Sequence, residues 1–243
     1  MKPTESAATP SATAGTQTAR QFSNFLFFKL LPSWRALSPK QKDRACDDFA
    51  FVVGKYADRI QVYSYSLIGI RAEVDLMLWR ISESLEFLEQ MACELYQSGI
   101  GPYLATPYSY LAMTRRSIYV EQHQHAGSES SRARLSPSNA PYLFVYPFVK
   151  TREWYQLPKN ERQAMMDAHI ATGHKYSNVK INTTYSFGMD DQEFVVAFET
   201  DSPASFLDLV MELRESPASR FTVRDTPAFT CLAKPLSEIL RSL

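Results

Sequence analysis

Residues 34–56 read WRALSPKQKDRACDDFAFVVGKY, and residues 154–176 read WYQLPKNERQAMMDAHIATGHKY. Set 120 positions apart, they match Trp34 with Trp154, Leu37 with Leu157, Asp47 with Asp167, and Lys55-Tyr56 with Lys175-Tyr176. The register continues through Tyr65-Ser66 against Tyr185-Ser186 and Glu73 against Glu193. A period this long marks a duplicated domain rather than the short units of a solenoid. In the same register Phe49 faces His169. One copy carries an imidazole where the other carries a phenyl ring, which implies one active half and one structural half.

Working outward, each copy reads strand, helix, strand, strand, helix, strand. Phe22 to Leu31 is an apolar aromatic run, expected as a buried strand. Ser38-Pro39 then opens a helix, with serine as N-cap and proline at the first helical position. Ala45, Phe49, Val52 and Val53 give that helix an apolar face. Gln61 to Ile70 and Ala72 to Arg80 predict strands joined by a turn around Gly69. Ser82 to Tyr96 predicts a helix with Leu85, Leu88 and Met91 inward, and Tyr103 to Val120 an extended segment. In the second copy, Tyr142 to Val149 predicts a strand and Pro158 to Gly173 a helix. Val179 to Phe187 and Gln192 to Glu199 predict a hairpin, Pro203 to Glu215 a helix, Phe221 to Leu232 one last strand, and Ser237 to Leu243 a short terminal helix. Two βαββαβ units are ferredoxin-like folds. Packed sheet to sheet, they predict an α+β protein in which duplicated ferredoxin-like units form a fused dimeric α+β barrel, with room for a pocket between sheet and helices.

The expected organisation is a disordered tail over 1–20, a structural half over 21–120, a connecting loop over 121–141 and the active half over 142–243. The tail is rich in Ser, Thr, Ala and Pro and offers too little apolar surface to offset the entropy of ordering it. It has no apolar core of a secretory signal. Within the 243 residues, 26 Lys+Arg balance 26 Asp+Glu, so no field favours nucleic acid or an anionic membrane. No apolar run reaches the roughly 18 residues of a membrane span. Cys46, Cys93 and Cys231 lack metal-site spacing and are expected as buried reduced thiols. These features predict a cytoplasmic protein that binds neither nucleic acid nor membrane.

The helix around His169 shows Ala164, Met165, Ala168 and Thr172, which places the imidazole near an apolar face. A histidine there is ordinarily a hydrogen-bonded core residue, but Phe49 shows that the fold does not need a polar group at this position. His123 and His125 in the connecting loop lack a third ligand nearby and are expected to be solvated.

Three segments in order carry a resemblance: YPFVKTREWYQLP over 146–158, then Arg162, His169 and Tyr176, then SFGMDDQEF over 186–194. Together they resemble the chlorite dismutase family, which includes chlorite-degrading haem enzymes and coproheme decarboxylases. The resemblance covers the second half and, more faintly, the first. It implies that His169 is the proximal ligand to haem iron, as neutral imidazole suits that metal. It implies Lys150 at the haem edge, where a cation pairs with a propionate. Trp154 matches an aromatic of the family motif, although Trp34 in the other copy fits core packing equally well. Tyr146 matches the tyrosine that coproheme decarboxylases oxidise to a radical. Arg214, or Arg132 or Arg134 from the loop, falls where those enzymes put an arginine on the propionates. Glu212 and Glu215 are candidate acceptors for the second imidazole nitrogen.

One departure bears on activity. Chlorite dismutases carry an arginine five residues before the serine of the SxG turn, and coproheme decarboxylases often glutamine. Five before Ser186 stands Ile181, which cannot donate a hydrogen bond to a bound oxyanion. The connection is one residue shorter than the family's, and a shift of one would bring Lys180 or Asn182 there instead. Strand neighbours point to opposite faces, so only one of these readings holds. The resemblance therefore implies haem b or coproheme as cofactor, with peroxide, chlorite or coproheme as substrate. It implies a peroxide- or chlorite-type oxidoreductase, a coproheme decarboxylase using Tyr146, or a non-catalytic haem carrier or sensor. It also implies a homo-pentamer or other homo-oligomer.

Overall fold

The computed structural model describes residues 19–119 and 134–243. It is an α+β architecture with nine strands and six α-helices among these residues. The first part runs β1 (Phe22–Leu30), α1 (Pro39–Lys55), β2 (Gln61–Ser66), β3 (Leu76–Ser82), α2 (Leu85–Gln97) and β4 (Leu104–Met113). The second runs β5 (Tyr142–Lys150), α3 (Arg152–Gln156), α4 (Lys159–Lys175), β6 (Lys180–Tyr185), β7 (Phe194–Thr200), α5 (Pro203–Glu215), β8 (Thr222–Arg224), β9 (Phe229–Ala233) and α6 (Leu236–Arg241).

Every strand pairing is antiparallel. The sheet order is β7-β6-β4-β1-β3-β2-β9-β5-β8, and β7 also pairs with β5. That last pairing closes eight strands into a ring, with β8 outside it. Closure removes open sheet edges along the ring. One face of the ring must then point inward. It is the face carrying Phe25, Phe27, Met77, Trp79, Leu143, Val145, Val195, Ala197 and Phe229, which form one buried cluster drawn from both parts of the chain. The period of two along each strand puts the alternate residues outward, under the helices.

Local chemistry explains the boundaries. Ser38 caps α1, Pro39 is its first residue, and the Gln41 side chain accepts from the Ser38 backbone N–H at 3.0 Å. Gly69 and Gly188 hold positive φ of 74° and 70° in the turns after β2 and β6, where a Cβ would be strained. Several expectations need correction. The last strand is two strands, β8 and β9, parted by a cis Thr226-Pro227 bond. Proline cannot donate to a ladder, so a strand running through it is interrupted. Leu85 stands exposed at the start of α2, whose inward residues are Leu88, Met91 and Leu95. Of the cysteines, only Cys231 is fully buried, while Cys93 is exposed. Ala164 and Ala168 are exposed too, so the inward side of α4 is defined by Met165, Met166 and Thr172.

The two layers outside the ring are packed unequally. Over β1 and β3, α1, α2 and α6 bury Leu26, Phe28, Phe49, Val52, Leu78, Met91 and Ile239 in a large cluster. The corresponding cluster beside α4 and α5 has four buried members, Phe144, Val179, Phe198 and Leu209, with Tyr146, Ile181, Phe206 and Leu213 only partly covered around them. Helix α1 buries Ala45, Phe49 and Val52; α4 buries only Thr172. No described helix is long and apolar enough to cross a membrane.

Candidate functional site

The underfilled layer is where the sequence candidates converge. On β5, Leu143 and Val145 point into the ring, so Phe144, Tyr146, Phe148 and Lys150 point outward. On β6, Ile181 joins the same outer cluster, and α4 crosses close above it: a Cβ on Gly173 would stand 3.8 Å from Ile181 Cδ1. Asn182 faces the other way, buried, with its amide donating to Glu199 Oε2 at 3.0 Å. Lys180 donates to the Ser136 carbonyl. Of the three alternatives at this position, Ile181 therefore lines the layer between β5, β6 and α4. The apolar wall is aromatic, with Phe144 stacked on Phe206 at 3.8 Å and Tyr146 on Phe198 at 5.7 Å between centroids.

Above this wall lies His169, the eleventh residue of α4, partly covered. Among the described residues none hydrogen-bonds its imidazole. Burial, and secondarily the Lys150 ammonium nearby, lower its pKa from 6.5 to about 4. The ring is consequently neutral at pH 7 with a lone pair to give. Its counterpart Phe49 is fully buried and meets Phe28 edge-on at 5.9 Å.

Lys150 ends β5 with its Nζ 4.2 Å from the Trp154 ring centroid and 3.2 Å from the Ala218 carbonyl oxygen. Burial lowers its pKa to about 8, against the opposing pull of Glu193. It remains mostly charged at pH 7 and lacks a direct carboxylate partner for its ammonium among the described residues, which suits it to a visiting anion. Trp154 is buried with Ala218 and Phe221 in a cluster of its own. The Tyr146 hydroxyl lies near an ion pair, Arg214 Nη2 to Asp225 Oδ2 at 2.7 Å. Burial first, then Asp225, raise the Tyr146 pKa, so the phenol keeps its proton.

Some candidates go elsewhere. Arg214 is held by Asp225. Arg134 pairs with Glu83 at 2.5 Å, in a cleft lined by Arg59, Ser82 and Phe87 of the first part. Glu212 is taken by Lys175 and by the Tyr176 hydroxyl at 3.2 Å, so it does not serve His169. Glu215 is exposed at the end of α5. Arg132, His123 and His125 lie outside the described residues. Three groups at the site went unassigned in the sequence: Asp225, Tyr155 and Glu193. The last is buried; its Oε2 accepts from Tyr155 Oη at 2.5 Å and from the Lys150 backbone N–H at 2.9 Å. Glu193 was visible in the sequence as the repeat partner of Glu73 and within the segment over 186–194, neither of which carries a hint of burial.

Among the described residues no three His, Cys, Asp or Glu side chains converge on a point. The donor set is one neutral imidazole above an aromatic and aliphatic wall, with a cation at the edge. That set fits iron whose other ligands come from a flat macrocycle bearing carboxylates.

A closed α+β ring with one imidazole over its outer face defines the class of protein, and comparison with known sequences and folds names the family. The family model described as chlorite dismutase matches residues 42–234. A coproheme decarboxylase of Mycolicibacterium smegmatis is 32% identical over 167 residues, covering 68% of this chain and 70% of that protein. The structure of chlorite dismutase from Candidatus Nitrospira defluvii in complex with imidazole superposes with a TM-score of 0.83 at 25% identity, covering 91% of this chain and 94% of that one. A mutant form of the same enzyme gives the same score and coverage. This chain belongs to the chlorite dismutase family.

Proposed function

We propose that this protein is a haem-binding oxidoreductase that uses peroxide to decarboxylate coproheme. The observation that carries the reading is the shared face: Tyr146, Lys150 and Ile181 line one outer surface of the sheet, under the helix that presents His169. Residues 142–243 would be the haem-binding half and 21–120 its structural duplicate. Both would be ferredoxin-like units of one fused barrel, with 121–141 as connector and 1–20 as a tail. The order of elements in the two parts and the packed Phe49 layer support that division.

In this reading His169 would hold the iron through an imidazole nitrogen, and Lys150 would bind a carboxylate of the macrocycle. Bound iron supplies the reduction of peroxide to water. Tyr146 would pass one electron from the propionate; no described acceptor is hydrogen-bonded to it and nearby Asp225 is held by Arg214, so its own proton would move when the substrate's carboxylate is alongside. Arg214 must leave Asp225 to reach a carboxylate. Ile181 gives a developing oxyanion no hydrogen bond, which disfavours chlorite as the natural substrate. The apolar wall around Ile181 would also suit a carrier or sensor that turns nothing over. An oligomer, a pentamer in the family's usual manner, and a cytoplasmic site of action complete the proposal.

The test is addition of peroxide to coproheme-loaded protein, with products separated by mass. Wild type is expected to release carbon dioxide and form haem b stepwise, and Tyr146→Phe to slow this at least a hundredfold while still binding coproheme. Binding without conversion in wild type would leave the carrier reading, and rapid oxygen evolution from chlorite would reverse the argument from Ile181.

A further inference from the structure

Tyr155 and Glu193 form a donor–acceptor pair that the proposed reaction does not use. Tyr155 follows Trp154 on α3, and Glu193 precedes β7. The phenol donates to the carboxylate at 2.5 Å. The same Oε2 accepts the backbone N–H of Lys150, so the pair is anchored to the strand end that carries a site residue. The Tyr155 ring also meets Phe187 edge-on at 5.8 Å; Phe187 meets Phe194 at 5.0 Å, and Phe194 meets Phe148 of the site wall at 6.2 Å.

Oxidising a phenol at neutral pH requires it to lose a proton with the electron, because the radical cation is a strong acid. Tyr155 has a buried carboxylate in place to take that proton. Tyr146 has no hydrogen-bonded acceptor among the described residues, and Asp225, the carboxylate near it, is held by Arg214. Trp154 is disfavoured for another reason: the Lys150 ammonium 4.2 Å from its ring centre opposes the positive charge that loss of an electron would create.

We propose that Tyr155 is a second redox-active tyrosine of this protein, one that discharges the iron site when peroxide arrives without an oxidisable substrate, with Glu193 as its proton acceptor. The inference rests on the haem reading above. The step balances as follows. Hydrogen peroxide takes two electrons and, from solvent, two protons, and leaves as two molecules of water. One electron comes from the bound iron macrocycle and one from Tyr155, whose O–H bond breaks. The electron goes to the oxidised site and the proton to Glu193 Oε2, leaving a neutral phenoxyl radical and a glutamic acid. Two equivalents of a small one-electron reductant of the ascorbate or phenol class restore Tyr155 and the iron macrocycle, and the proton returns from Glu193.

The experiment uses the full chain loaded with haem b, which lacks the oxidisable propionates of coproheme. It is mixed with one equivalent of hydrogen peroxide, frozen within milliseconds and read by electron paramagnetic resonance, with ring-deuterated tyrosine to identify the signal. The haem absorption band of each sample is recorded first. Wild type is expected to give a tyrosyl signal. Tyr155→Phe should lose at least four-fifths of it and Tyr146→Phe little. Glu193→Gln accepts a hydrogen bond but not a proton, and should form the radical at least tenfold more slowly. An undiminished signal in Tyr155→Phe, or no tyrosyl signal in wild type despite a normal haem band, overturns the role of Tyr155 and leaves haem binding intact. Absence of a haem band in wild type overturns the haem reading itself and this inference with it. Should Tyr155→Phe fail to load haem, the wild-type radical is captured with a nitroso spin trap and located by peptide mass mapping. An adduct on Tyr155 supports the assignment, and adducts confined to other residues refute it.

Discussion

Phe49 and His169 occupy the same place, the eleventh residue, on two helices of equal length that cover opposite parts of one closed sheet. The phenyl ring is sealed against Phe28, whereas the imidazole is neutral, only partly covered and free of hydrogen bonds to described residues. One helix position thus serves packing in one half and, in the reading argued above, ligation in the other.

The difference is measurable as stability. Phe49→Ala empties a fully buried site and is expected to cost about 3–5 kcal/mol. His169→Ala removes a half-covered ring with no hydrogen-bond partner among the described residues and should cost under about 1 kcal/mol. Urea unfolding of the unloaded chain compares the two; equal losses would make His169 an ordinary core residue.

The neutral imidazole also leaves a pH signature. An unfolded histidine titrates near 6.5 and His169 in the fold at about 4. Between these values the unfolded chain binds more protons than the folded one, so this residue makes stability fall as pH drops from about 6.5 to about 4. His169→Gln should flatten that part of the pH–stability curve of the unloaded chain. An unchanged slope would mean that His169 is as solvated in the fold as in the unfolded chain.

Lys150 predicts the opposite limb of a pH profile. Its charge is lost as pH rises through about 8. Affinity for coproheme should therefore weaken between pH 7 and 9 in wild type, and Lys150→Arg, which stays charged, should remove the decline. Lys150→Met should bind weakly across the range. A wild-type affinity that stays level to pH 9 would detach Lys150 from the propionates.

Trp154 is expected to behave as core. It is buried with Ala218 and Phe221, and its repeat partner Trp34 is equally buried. Trp154→Ala and Trp34→Ala should each cost about 3–5 kcal/mol in unfolding experiments. A Trp154→Ala protein of normal stability that cannot load haem would instead make this ring a cofactor contact.

Much of this was legible in the sequence because periodicity and caps are local signals. The 120-residue register of Trp34 with Trp154 placed α1 and α4, and Ser38-Pro39 marked where α1 begins. The motif over 146–158 was enough to single out Tyr146 and Lys150, and the strand beneath them was legible as Tyr142 to Val149. Less legible was anything set by contact between distant segments. Whether Ile181, Lys180 or Asn182 faced α4 depended on strand register, which the Asn182–Glu199 hydrogen bond now reports. Ala164 and Ala168 read as an inward face because alanine is compatible with either side of a helix. Arg214 carried no sign of Asp225, its partner just after β8, nor Glu193 of Tyr155. Closure of the sheet by β5 with β7 likewise depends on both halves at once.

The measurement that tests the central claim most directly is a haem titration of wild type, His169→Ala and Phe49→Ala, followed by absorption spectroscopy. The account predicts a saturable shift of the Soret band in wild type, its loss in His169→Ala, and its retention in whatever fraction of Phe49→Ala remains folded. A shift of the same size and affinity in His169→Ala, or none in wild type, would contradict it.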